Sequence, residues 1–211
     1  MSENTEMSKA TLHRLPAYLR YLYQLDKQDI ETVSSTTIAE ELNLNAVQVR
    51  KDIALVSSVA GKPKTGFVTK ELIADLETFL GYDNTHDAVI VGIGGLGKAF
   101  LGYGGFDKYG LNIVAGFDVD KSIIDKKING KQILSLDKLA STVERLNIQI
   151  GIITVPNASA QLVADQMVAC GIKAIWNFAS VHLAVPNDIA LKNEDLAASL
   201  ALLSMRLQSH I

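Results

Sequence analysis

The sequence predicts an α/β protein: an N-terminal winged helix-turn-helix domain, then a doubly wound parallel sheet, with one C-terminal helix to spare. Three observations carry this. From about residue 86 apolar strands alternate with helical patterns, and the strands read as near-continuous apolar runs (IQIGIITV, KAIWNF), as in a parallel sheet covered on both faces. Ahead of them, two short helical patterns flank Asn43-Leu44-Asn45 and lead into AGKPKTGFVT, which suits a basic β-hairpin wing. Between the two parts, Gly81-Tyr82-Asp83-Asn84 is a turn-rich break. The expected domains are therefore 1–82, 83–194 and a terminal helix, 195–211.

In chain order, residues 11–25 (TLHRLPAYLRYLYQL) bring Leu12, Leu15, Leu19, Leu22 and Leu25 round at helical spacing, with Pro16 placed in the first turn or two. A short helix over 36–43, capped by Ser34 or Ser35, buries Ile38, Ala39 and Leu42. Asn43 suits a left-handed turn, and Asn45 can cap the next helix, Ala46 to about Ser57, which buries Val49, Ile53 and Val56. After a helical pattern at 70–80 come strand 87–91, helix 95–102, strand 111–117, a short helix near 121 and strand 131–134. Helix 136–146, strand 148–155, helix 158–169 and strand 172–178 complete the alternation, with Asn157 as a candidate cap. Residues 195–207 (DLAASLALLSMRL) are apolar round most of a helix, so something must cover it: its own sheet or, as favoured here, a second subunit.

Residues 87–118 carry the chemistry. An apolar strand runs into Gly92-x-Gly94-x-x-Gly97, a helix, a second strand and Asp118. Each part has a separate task with a dinucleotide: a tight turn, bare backbone against the pyrophosphate, close helix–strand packing, and an acid for the ribose. Gly92, Ile93, Gly94, Gly95, Leu96 and Gly97 are thus candidate cofactor residues in a Rossmann-like fold. Asp118 can accept from both ribose hydroxyls and would repel a 2′-phosphate, which favours NAD(H) over NADP(H). By the same logic Thr154, Val155 and Pro156, with Asn177, Phe178, Ala179 and Ser180, lie where later strands end and are expected to line the nicotinamide half.

Composition bounds the partners. A 211-residue chain with 48 % hydrophobic and 20 % charged residues reads as a globular protein, and no apolar run approaches the roughly 20 residues that span a bilayer. The polar start MSENTEMSKA lacks the apolar core of a secretory signal, so a cytoplasmic location without membrane contact is expected. The single cysteine, Cys170, rules out an internal disulfide and a cysteine-based metal cluster, and reads as inert core. No metal is expected. A net charge of −3 argues against indiscriminate nucleic-acid binding, yet Leu42–Lys70 carries a net +4 that falls on the second helix and the wing. Asn45 and Gln48 are candidates for base edges, and Arg50, Lys51, Lys62 and Lys64 for phosphate or minor-groove contact. One such reader per chain needs a twofold partner and a palindromic operator.

No residues are expected to be catalytic. About 80 residues go to the helical part and about 110 to the nucleotide fold, leaving no substrate domain. His86 and His182 read as surface or hydrogen-bonded residues. An NAD-dependent oxidoreductase with a helical appendage, a coenzyme A binder and a protein-interaction module are the alternatives.

Gln48-Val49-Arg50-Lys51-Asp52, Gly92-Ile93-Gly94-Gly95-Leu96-Gly97, Phe117-Asp118-Val119-Asp120 and Asn177-Phe178-Ala179 together resemble the Rex family of redox-sensing transcriptional repressors, from Arg14-Leu15-Pro16 to Asp195-Leu196. The resemblance implies a homodimer, NADH bound in preference to NAD+, a swapped C-terminal helix, and release of the operator by NADH. It also implies that Tyr103 lies near the nicotinamide and that Arg14 and Asp195 meet between subunits. The chain departs from the family's usual wing, Gly-Lys-Arg-Gly-Val-Gly-Tyr, in reading Gly61-Lys62-Pro63-Lys64-Thr65-Gly66-Phe67. It also has Leu55-Val56 for Tyr-Phe, and Ser180 for a proline.

Overall fold

The computed structural model describes residues 7–59, 61–62 and 65–208, and divides into two compact units, Met1–Asn84 and Thr85–Ile211. In the first, α1 (Lys9–Lys27) starts where the Ser8 hydroxyl accepts from the Thr11 N–H, two residues earlier than periodicity suggests. Pro16 therefore sits eighth in the helix, beyond its first two turns, and leaves the Leu12 carbonyl without an i+4 donor. Leu12 is 42 % exposed, so water can serve that group.

β1 (Thr32–Val33) leads into α2 (Ser35–Glu41), capped by Ser34. Asn43 turns the chain with φ +51°, and Asn45 Oδ1 accepts from the Val47 and Gln48 N–H groups to start α3 (Ala46–Val56). The wing follows: Lys62 and Gly66 exchange backbone hydrogen bonds, and β2 (Phe67–Val68) pairs antiparallel with β1 before α4 (Thr69–Leu80). Leu15, Tyr18, Leu22, Ile38, Val49, Ile53, Leu72 and Leu76 form one apolar core among these helices.

The second unit is built on β3 (His86–Val91), α5 (Gly95–Gly102), β4 (Leu111–Asp118), β5 (Lys127–Ile128), β6 (Lys131–Ser135), α6 (Leu139–Leu146), β7 (Ile150–Ile153), α7 (Asn157–Ala169), β8 (Ala174–Asn177), β9 (Ala190–Asn193) and α8 (Leu196–Gln208). The sheet order is β5-β6-β4-β3-β7-β8-β9, parallel except for the β5–β6 pair. Alternate residues feed opposite faces. Val89, Val91, Phe117 and Ile153 pack with Val143, Val163 and Met167 on one side, while Ala88, Ile90, Ile113 and Ile152 pack with Leu101 on the other.

Three expectations change. Residues 121–125 form turns rather than a short helix, because Asn129 (φ +50°) and Gly130 (φ +80°) make a tight hairpin that folds β5 back on β6. β9 adds an edge strand whose mixed ALKN sequence lacks the apolar run of its neighbours. Asn157 does not cap α7: its Nδ2 donates to the Ser180 carbonyl instead.

Candidate nucleotide crevice and nucleic-acid face

At the carboxyl ends of β3, β4 and β7, where the strand order reverses, lies a crevice of about 630 Å3 lined by Gly92, Ile93, Gly94, Lys98, Asp118, Asp120, Thr154, Val155 and Pro156 among others. The glycine turn is pinned from below. The Gly92 N–H donates to the Phe117 carbonyl, and the Thr154 hydroxyl donates to the Gly92 carbonyl at 2.6 Å. Gly92 has φ +97°, and a Cβ there would stand 2.8 Å from the Thr154 backbone. At Gly97 a Cβ would overlap the Gly92 carbonyl oxygen. Only bare backbone fits at both positions, and α5 begins at Gly95 with its first N–H groups unspent. Gly95 and Leu96 are exposed there.

Asp118 is more than a ribose acceptor. Its Oδ2 takes the Ile93 N–H at 2.6 Å, and its Oδ1 takes those of Val119 and Asp120 at 2.7 and 2.9 Å. Three of the roughly four acceptor positions of a carboxylate are used in holding the turn to β4, leaving about one for a ribose hydroxyl rather than the two anticipated.

The nicotinamide-side residues separate. Thr154, Val155 and Pro156 share the crevice with Asp118, whereas Ala179 and Ser180 line a different hollow of about 200 Å3 with His182 and Asp195. Asn177 is fully buried. Its Nδ2 donates to the Ala179 and Val181 carbonyls and to Asn193 Oδ1, and its Oδ1 accepts from the Ala179 N–H, so this side chain shapes the loop and has no group left for a ligand. Phe178 joins an aromatic cluster with Phe100 and Trp176, while Tyr103 is 55 % exposed and sets its ring 4.9 Å from that of Phe106. Asp195 Oδ1 caps α8 at the Ala198 N–H.

In the first unit Arg50 and Lys62 line one concavity of about 670 Å3 together with Ser34, Thr36 and Phe67. Asn45 at the cap of α3 and Gln48 and Lys51 on it are exposed; Lys64 lies outside the described residues. Asp75 on α4 fastens the end of α3 to α4, accepting from the Ser57 hydroxyl and from the Ser58 N–H and hydroxyl.

The sequence reading gave Asp52 no role beyond its place in the Gln48–Asp52 motif and in the local charge balance. It is 1 % exposed. Its carboxylate accepts from Thr11 Oγ1, Arg14 Nε and Nη2, Tyr18 Oη and Gln48 Nε2. Burial alone would push this carboxyl up, and the hydrogen bonds from Arg14, Tyr18 and Gln48 outweigh it, holding the group below the usual carboxylate range. The Tyr18 phenol is pushed up to about 12 by burial and then by Asp52. Lys98, Asp120 and Ser159 in the crevice were also missed, although Lys98 directly follows the glycine motif and Asp120 lies two residues past Asp118. Burial raises the Cys170 thiol, as suits an unreactive side chain. Among the described residues no helix is long and apolar enough to cross a membrane, and no group of three or more His, Cys, Asp or Glu is placed to hold a metal ion.

Residues 6–54 match a family described as putative DNA-binding protein N-terminus, and residues 83–181 one described as CoA binding domain. The chain is 38 % identical over 209 residues to the redox-sensing transcriptional repressor Rex of Treponema denticola, covering 99 % of each. It is 36 % identical to RSP, a Rex-family repressor, as crystallised with β-NAD+ and operator DNA, at a TM-score of 0.91 over 98 % of this chain and 95 % of that one. Against RSP with β-NADH the TM-score is 0.88, with the same identity, over 98 % and 97 %.

Proposed function

Because the chain belongs to the Rex family of redox-sensing transcriptional repressors, we propose that it is an NADH-responsive repressor. It holds palindromic operator DNA as a homodimer while NADH is scarce relative to NAD+, and leaves the DNA when NADH binds. The observation that carries this is the crevice at the ends of β3, β4 and β7, where two glycines leave room for no side chain and an acid stands opposite. The relatives are named as repressors, and the reading is of a regulator rather than an enzyme.

The residues present fit a dinucleotide. The unspent N–H groups at the start of α5 suit a pyrophosphate, and Lys98 faces the same space. Asp118 offers its remaining acceptor to a ribose hydroxyl and, with Asp120 beside it, rejects a 2′-phosphate. Bound NAD(H) supplies a ring that is cationic when oxidised and neutral when reduced. Val155 and Pro156 on the crevice wall are apolar groups that disfavour an unpaired cation. Each tenfold of preference needs about 1.4 kcal/mol, a modest demand on such a wall. An acyl thioester carrier would leave Asp118 with its hold on the glycine turn alone and no use for its remaining acceptor.

Coupling follows from linkage. If NADH favours a dimer geometry that DNA disfavours, each ligand weakens the other by the same factor, and the variable is the spacing of two α3 helices across half-sites about 34–36 Å apart. For the dimer itself, α8 leaves Leu200, Leu202, Leu203, Met205 and Leu207 each at least 57 % exposed, a face that a second copy would cover. The Arg14–Asp195 contact is proposed across that dimer. Within one chain, Arg14 pairs with Asp52 at 2.7 Å. A cytoplasmic location accompanies a partner that is chromosomal DNA.

The test is fluorescence anisotropy of a labelled palindromic duplex, selected by the protein itself, titrated with each nucleotide. NADH should displace the protein at concentrations where NAD+ does not; equal displacement by both would overturn the sensor reading.

A further inference from the structure

A buried acid on the helix assigned to DNA accepts five hydrogen bonds. Asp52 Oδ1 lies 2.9 Å from Gln48 Nε2, one turn earlier on α3 and exposed, and 3.0 Å from Arg14 Nη2; its Oδ2 lies 2.7 Å from both Arg14 Nε and Tyr18 Oη. An ionised carboxylate only accepts hydrogen bonds, so the amide nitrogen of Gln48 must face inward. The flip of the carboxamide is thereby decided by chemistry, and an otherwise mobile glutamine is tethered.

We propose that Asp52 is a positioning residue for sequence readout. Its buried carboxylate holds Gln48 with Nε2 inward, so that Gln48 presents its carbonyl oxygen and its second N–H to the major groove as an acceptor–donor pair. That pair complements the N6 amino group and N7 of adenine, and none of the other bases offers the same donor and acceptor together. Arg14 and Tyr18 serve by keeping the carboxylate ionised and fixed. Thr11, at 3.2 Å, is a supporting donor that does not touch Gln48. The inference rests on the DNA-binding reading above, and commits it to one base at one position of each half-site.

The test is selection from a randomised double-stranded DNA library with the full-length wild-type chain, followed by binding to single-base variants of the selected duplex. Wild type should prefer adenine at one position per half-site by about tenfold or more. Gln48→Met and Asp52→Asn should both relax that position by about tenfold and leave the others in place, and combining them should add nothing there. Thr11→Val should lower the melting temperature without changing the base profile. A profile in which Asp52→Asn weakens all positions alike, or in which Gln48→Met leaves adenine preferred, overturns the inference while leaving DNA binding intact. Failure of wild type to enrich any sequence overturns the DNA-binding reading as well. If Asp52→Asn does not fold, the Gln48 carboxamide resonances of wild type, identified by their loss in Gln48→Met, carry the test: one proton should be protected from solvent exchange, and two equally exposed protons refute the tether.

Discussion

Replacing Gly97 with alanine sets two physical effects against each other. Gly97 is the third residue of α5, and by helix propensity alone alanine there should stabilise the protein by about 1 kcal/mol. The structure predicts the reverse. The new methyl group would overlap the Gly92 carbonyl oxygen, with the carbonyl carbon at 3.1 Å and Thr154 Oγ1 at 3.2 Å. That oxygen cannot retreat freely: Gly92 is tied through its N–H to Phe117 and through its carbonyl to Thr154. Relief requires α5 and the glycine turn to part by on the order of 1 Å, an overpacking cost of about 1–3 kcal/mol. Losing the Thr154 hydrogen bond adds about 1 kcal/mol. Set against the propensity gain, the net loss is about 1–3 kcal/mol, or roughly 4–12 °C in the unfolding of the nucleotide unit. The same displacement moves the N–H groups assigned to the pyrophosphate, and a comparable energy lost in binding weakens NADH by about five-fold to more than a hundredfold. Calorimetry and an NADH fluorescence titration of the full chain measure both, and DNA affinity without nucleotide should be unchanged. A raised melting temperature with unaltered NADH affinity would refute the packing argument.

Four further outcomes are expected. Asp118→Ala should weaken NAD(H) and narrow the preference over NADP(H) in competitive titrations, since it removes both the ribose acceptor and the tether on the Ile93 N–H; an unchanged preference would dismiss Asp118 as the selecting acid. Lys51→Ala should reduce the salt dependence of DNA affinity by about one counterion, and an unaltered slope places Lys51 away from the phosphates. One of the six tyrosines should ionise at about 12 in an ultraviolet titration, because Tyr18 is buried beside Asp52. Its folded value is raised, so the stability it contributes is complete below an unfolded pKa of about 10 and disappears as pH rises through the folded one. Asp52 has the opposite sign. Its carboxyl is held down, so its contribution is present above an unfolded pKa of about 3.9 and is lost as pH falls through the folded value, read as acid unfolding of the first unit.

How much of this was legible depended on how local the signal was. The glycine turn was readable because each glycine answers a backbone demand within a few residues, and Asn43 and Asn45 announced the turn and cap by their own short side chains. The hairpin at Asn129-Gly130 carried an equally local signal that went unread between the helix expected near 121 and the strand expected at 131–134. β9 and the burial of Asn177 had no such signal, since both depend on which strands become neighbours.

By itself, the order of residues determined the alternation of strands and helices, the phosphate-ready turn with its acid, and the helix-turn-helix, all of which arise from short-range periodicity and backbone preference. Only tertiary structure decided what Asp52 and Asp118 do. A carboxylate reads the same in a sequence whether water or five donor atoms surround it, and those atoms, two from Arg14 and one each from Thr11, Tyr18 and Gln48, come from α1 and α3. Which charge is buried, and what it then holds in place, is settled when distant segments pack.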